Sequence, residues 1–199
     1  MREIVLDTET TGLSPAGGDR MVEIGCIEMI NRCETGREFH AYFHPERPMP
    51  SEAEAVHGLS DVFLSDKPKF PERADELLVF IGDAPLIAHN AGFDFGFLNH
   101  ELERCGRDPV CLSRMICTLV LARSKHPGAK HSLDALCTRF GVDRSQRIKH
   151  GALLDPLTPA ERPVRPARPH FASDEEISRH RAFVARLTQP LWERFLPAA

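Results

Sequence analysis

Apolar and polar side chains alternate along three stretches of the first 44 residues, and a period of two marks half-buried β-strands. The run EIVL at 3–6 is strand-like, and TTGLSPAGGDR, rich in Gly, Pro, Ser and Asp, predicts a loop after the DTETTG segment begins. Residues 22–30 place Val22, Ile24, Cys26 and Ile30 at even spacing, and 37–44 place Phe39, Ala41 and Phe43 on one side. An antiparallel three-stranded opening is therefore expected, with turns around Gly17 and Gly18 and over 31–36. The period then changes. A helix is expected over 71–81, a short buried strand over 86–88, and a helix over 93–104, where Leu98 and Leu102 stand four apart behind Phe93 and Phe97. Residues 116–121 fit a strand or a helix. Ser132 is placed to cap a helix whose Leu133, Leu136, Cys137 and Phe140 share a face, with Gly141 as its stop. Strands first, then helices alternating with short strands, predict an α/β fold with a mixed sheet flanked by helices.

Beyond Asp155 the pattern breaks. Pro156 and Pro159 follow, then Pro163, Pro166 and Pro169 recur every third residue with Arg between them, a spacing that favours an extended linker. Ser173 with Glu176 three residues on forms a capping box, and a helix is expected over 174–187 with Ile177, Val184 and Leu187 near one face. The expected division is a folded domain over 1–157, a Pro/Arg-rich linker over 158–172 and a tail over 173–199.

Composition changes this picture little. Of 199 residues 42% are apolar and 27% charged, enough to bury a core and too apolar for a wholly disordered chain. No window approaches the ~20 apolar residues of a membrane span, and MREIVLD does not resemble a secretory signal, so a cytoplasmic protein with no membrane partner is expected. The six cysteines include no CxxC pair, which argues against a zinc cluster or a disulfide scaffold. The net charge of −4 gives no hint of nucleic-acid binding unless acids gather at a metal, where bound cations reverse the local sign.

Three acidic constellations bear on that exception. In DTETTG at 7–12, Asp7 and Glu9 alternate along the end of a strand, so their carboxylates leave on one face. Crowded acids repel unless protons or cations intervene, and a hard divalent metal is the common solution. A bare DxE is more often only an acidic turn. In HNAGFDFGFL at 89–98, Asp94 opens a helix, a position the macrodipole favours for any acid. In HGALLD at 150–155, His150 precedes Asp155; alone they would be a surface pair.

The ordered set DxE, NAxFD and HxxxxD resembles the DEDDh family of 3′–5′ exonucleases, which have a ribonuclease H-like fold. VHGLSDVFLSDKPKF at 56–70, SLDALCTRFGVDRSQRIKHGALLD at 132–155 and FASDEEISRHRAFVARLTQPLW at 171–192 are similar to the proofreading branch of that family, whose C-terminal end binds the polymerase. The resemblance implies that Asp7, Glu9, Asp94 and Asp155 hold two ions, Mg2+ or Mn2+, since oxygen ligands suit both. It implies His150 as general base, Glu52 and His57 near the terminal nucleotide together with Asp7, Glu9 and Asp155, and Val56 and Phe93 as an apolar wall for unpaired bases. Phe93 fits a core aromatic equally well. The implied activity is removal of nucleotides from single-stranded or frayed DNA 3′ ends by two-metal phosphodiester hydrolysis, with the tail docking the polymerase catalytic subunit. The alternatives are an RNA-directed exonuclease of the same family and a truncated, catalytically impaired polymerase-binding module. One departure stands out: in the family a long helix carries the last Asp, whereas here Pro156 follows it at once, and proline disfavours helix in the residue before it.

Overall fold

The computed structural model describes residues 1–142. A five-stranded mixed sheet of order β3-β2-β1-β4-β5 forms the centre, with β1 spanning Arg2–Thr10, β2 Met21–Ile30, β3 Cys33–Tyr42, β4 Leu86–Ala88 and β5 Met115–Cys117. The first three strands are antiparallel, and β4 and β5 run parallel to β1. This is the α/β architecture expected of a ribonuclease H-like domain.

Alternation along β1 divides the sheet into two faces. Ile4 and Leu6 are buried with Ile24 and Cys26 of β2, Phe39 and Ala41 of β3, and Leu86 and Ala88 of β4. Against them pack α3 (Phe70–Ile81), through Phe70, Ala74, Leu77 and Ile81, and α4 (Gly92–Arg104), through Phe95, Phe97, Leu98 and Leu102. Val5 and Asp7 alternate with that set and line a cavity with Ile27, Met29, Ile87 and His89 on the other face.

Several boundaries differ from the sequence expectation for identifiable reasons. β1 runs on to Thr10, because Asp7 to Glu9 keep pairing with Gly25 to Glu23 of β2. The β2–β3 turn is only two residues, Asn31 and Arg32, both left-handed at φ 51° and 66°, the conformation that matches hairpin twist. Between β3 and the helix expected over 71–81, where no element was expected, the chain forms two short helices, α1 (Ser51–His57) and α2 (Asp61–Leu64), the latter capped by the Ser60 hydroxyl. Residues 116–121 are both strand and helix: β5 ends at Cys117 and α5 (Thr118–Lys125) begins at the next residue. Ser132 caps α6 (Leu133–Phe140), its hydroxyl accepting from the Ala135 N–H at 3.3 Å, and Gly141 ends it at φ 66°. Among the described residues no helix is long and apolar enough to cross a membrane. The linker over 158–172 and the helix expected over 174–187 lie outside the described residues.

Candidate active site

The site grows from the end of β1. Parallel pairing of Ile4 with Leu86 and Val5 with Ile87 brings Ala88, the last residue of β4, level with Leu6. From Asp7 onward β1 therefore has no strand neighbour on that side, and the turn into α4 occupies the place. Asn90 makes the turn possible in the left-handed region at φ 65°, which Asn tolerates better than most residues. Its carbonyl accepts from the Phe93 N–H at 2.9 Å and starts the helix.

Asp94 lies in the first turn of α4 and is only 2% exposed. The Thr8 hydroxyl donates to its Oδ1 at 2.8 Å, so Asp94 meets β1 one residue from both Asp7 and Glu9. Burial pushes the Asp94 carboxyl up to about 7, and the hydrogen bonds from Thr8 and nearby backbone only partly offset that rise. The Cys26 thiol is pushed well up as well, first by burial and then by the negative charge of Asp94. Asp94 thus meets the strand end at Thr8, between Asp7, which lines one cavity, and Glu9, which lines a neighbouring groove.

Glu9 lines a groove beside the strand end. A β-bulge between Glu9 and Thr10 interrupts the pairing with β2 at this point, and bulges re-aim side chains next to functional sites. The groove is lined by Glu9, Leu13, Glu52, Val56, His57 and Phe93, together with neighbouring residues of the same segments. His57 is buried, and its Nδ1 accepts from the Leu59 N–H at 3.0 Å, so the neutral ring carries its proton on Nε2. Val56 is exposed, whereas Phe93 is half-buried with its ring 4.9 Å from Phe97. Phe93 therefore packs against the core through Phe97 and also lines the groove.

The loop after the strand requires glycine at Gly12, where a Cβ would collide with the Asp19 carboxylate. Asp19 in turn accepts from the Ser14 N–H at 3.0 Å and pairs with Arg47 at 2.7 Å. His89 faces the cavity that Asp7 lines, and its Nδ1 lies 3.0 Å from the Thr118 hydroxyl. Thr118 donates to the Ala88 carbonyl at 3.2 Å, which leaves its oxygen to accept from His89.

Among the described residues no group of three His, Cys, Asp or Glu side chains is arranged to hold a metal ion by itself. The remaining two members of the expected constellation, His150 and Asp155, lie outside the described residues. The donor chemistry nevertheless suits a hard divalent cation. Two carboxylates alternate at a strand end, and a third is sealed between strand and helix with its pKa raised. Sequence reasoning did not single out Thr8, Leu13 or the pair Arg20 and Glu101. A hydroxyl between two acids was the one available signal for Thr8; an Arg and a Glu 81 positions apart left none.

Comparison with known proteins agrees with this geometry. Residues 4–161 match the RNase T family, described as exonuclease. The DNA polymerase III subunit epsilon of Rickettsia felis is 57% identical over 164 residues, covering 81% of this chain and 72% of that protein. The subunit of the same name from Escherichia coli K12 is 46% identical over 168 residues, covering 80% and 69%. Among solved structures, exonuclease X in complex with 5′-overhanging duplex DNA superposes with a TM-score of 0.60 at 27% identity, covering 77% of this chain and 84% of that one. The chain belongs to the RNase T family of exonucleases, alongside the epsilon subunits of DNA polymerase III.

Proposed function

We propose that the protein removes nucleotides from DNA 3′ ends in a proofreading role beside a replicative polymerase. One observation carries this reading to the substrate: a single groove gathers Glu9, Glu52, Val56, His57 and Phe93, five of the seven residues expected at the terminal nucleotide, while Asp7 lines the neighbouring cavity and Asp155 lies outside the described residues. The similar epsilon subunits are named as polymerase subunits, and exonuclease X is described on DNA, which favours DNA over RNA.

Asp7, Glu9 and Asp94, with Asp155 from the same family match, would hold two divalent cations, Mg2+ or Mn2+. Such ions supply a water of lowered pKa and stabilise the charge that develops on the leaving 3′ oxygen. His150 would accept the proton of the attacking water, since imidazole titrates near neutrality. Water oxygen bonds to phosphorus, the P–O3′ bond breaks, and the shortened strand leaves with a 3′ hydroxyl and the product with a 5′ phosphate. His57, protonated on Nε2, would donate to the terminal nucleotide, and Val56 and Phe93 would receive its base. Stacking of a base on an aromatic side chain is worth roughly 1–3 kcal/mol and tolerates any base, as a proofreading site requires. The tail over 173–199 would dock the polymerase catalytic subunit.

The test is digestion of 5′-labelled oligonucleotides with Mg2+ or Mn2+. A ladder shortening from the 3′ end of DNA, faster than on the matching RNA, is expected. Preferential degradation of RNA would favour the RNA-directed alternative, and no cleavage with either ion would overturn the nuclease reading.

A further inference from the structure

We infer that Arg20 and Glu101 form a positioning pair that ties the helix bearing Asp94 to the strand end bearing Glu9, and so fixes the spacing of the metal-holding carboxylates. The inference rests on the reading of Asp7, Glu9 and Asp94 as metal ligands. Both members are sealed from solvent, Arg20 at 6% and Glu101 at 2% exposure. The guanidinium grips the carboxylate with two hydrogen bonds, Nε to Oε1 at 2.7 Å and Nη2 to Oε2 at 2.9 Å. Oε1 also accepts the Met21 backbone N–H at 3.2 Å.

The backbone connections give the pair its reach. Met21 lies across from Thr10 in the β1–β2 ladder, at the bulge that follows Glu9. Arg20 is bonded to Thr11 in both directions, its N–H donating to the Thr11 hydroxyl at 2.9 Å and its carbonyl accepting the Thr11 N–H at 2.9 Å. Glu101 stands seven residues beyond Asp94, two helical turns and about 10 Å along the same buried face of α4. Asp94 is bound to Thr8 at the other end. A closed circuit results, running Glu9, Thr10, Met21, Glu101, Asp94, Thr8 and back to Glu9. Apolar packing holds α4 on the sheet but is not directional, so with the Thr8 hydrogen bond alone the helix keeps some freedom to roll about its axis. The second attachment removes that freedom, and the planar two-pronged grip restrains rotation in a way a lysine contact does not.

A pair that only stabilised the fold would be replaceable by apolar residues of similar size without consequence for metal binding. The deciding experiment uses the full chain carrying Arg20→Met with Glu101→Leu, and separately Arg20→Lys. Mn2+ affinity is read by calorimetry, beside the melting point in chelator. The double variant should still fold, with a melting point lowered because the buried Met21 N–H loses its acceptor, and bind Mn2+ about 10–100-fold more weakly, the usual loss when groups orienting metal ligands are removed. Its kcat on a DNA 3′ end should fall with KM little changed, and Arg20→Lys should lie between. Parental Mn2+ affinity in a folded double variant would overturn the inference. If the double variant does not fold, Arg20→Lys decides: weakened Mn2+ binding supports the tether and unchanged binding overturns it. Parent protein that binds Mn2+ but leaves DNA intact would refute the nuclease reading, with the tether still judged on affinity.

Discussion

Replacing Asp94 by Asn should steady the metal-free protein, and by more at pH 8 than at pH 5. In the folded chain burial holds the carboxyl's pKa at about 7, whereas an unfolded aspartate titrates near 4. Between those values the folded state carries the extra proton, so the carboxyl's contribution to stability falls as pH rises and is lost once pH passes about 7. At pH 8 the ionised buried group costs roughly 4 kcal/mol relative to the unfolded chain; at pH 5, where the folded carboxyl is protonated and the unfolded one mostly ionised, the cost is roughly 1.5 kcal/mol. Asn is uncharged at both pH values and keeps a carbonyl oxygen for the Thr8 hydroxyl, which now sits 2.8 Å from Oδ1. Any fixed cost of exchanging an oxygen for an amide nitrogen cancels when the two pH values are compared. The stabilisation by Asp94→Asn should therefore be larger by roughly 2.5 kcal/mol at pH 8, a further 5–10 °C or so in melting temperature for a domain of this size. The assay is thermal unfolding of both proteins in chelator at each pH. An equal difference at the two pH values would refute the claim that Asp94 is held in a charge-hostile position. Adding Mn2+ at pH 8 should raise the parent's melting point and leave the variant's nearly unchanged.

Other expected outcomes follow from the same site. Asp7→Ala should abolish Mg2+-dependent cleavage while leaving the fold intact, checked by digestion and circular dichroism; near-full activity would contradict a metal role. His150→Ala should slow hydrolysis by roughly two to four orders of magnitude and remove the acidic limb of the pH–rate profile, because a base must be deprotonated to act. Removing residues 171–199 should abolish co-purification with the polymerase catalytic subunit while sparing exonuclease activity and melting temperature; an unfolded domain would instead make the tail part of the structure.

The sequence foretold what depends on local pattern. The period of two located β2 and most of β3, and the Ser132 to Gly141 frame located α6 with its caps. Asp7, Glu9 and Asp94 were singled out by the order of their motifs, which resembles that of the DEDDh exonucleases; each spacing alone reads as a turn acid or a helix-start acid. Non-local relations were hidden. The continuation of β1 to Thr10, into the segment read as a loop from its Gly, Pro, Ser and Asp content, depends on pairing with β2. The short helices α1 and α2 carry little periodic signal; His57 is the only buried residue of the first and Leu64 of the second. The Arg20 to Glu101 contact joins residues 81 positions apart, and only the packing of α4 on the sheet brings them together.

The central claim is that the DTETTG strand end and its groove degrade DNA from the 3′ end. It is tested most directly on a primer–template with a mismatched 3′ terminus, incubated with Mg2+ beside the Asp7→Ala variant. The account predicts that the parent removes the mismatched nucleotide faster than a paired one, releases 5′ mononucleotides, and loses this activity in Asp7→Ala or on chelation. Equal cleavage by parent and variant, or release of nucleotides from the 5′ end, would contradict it.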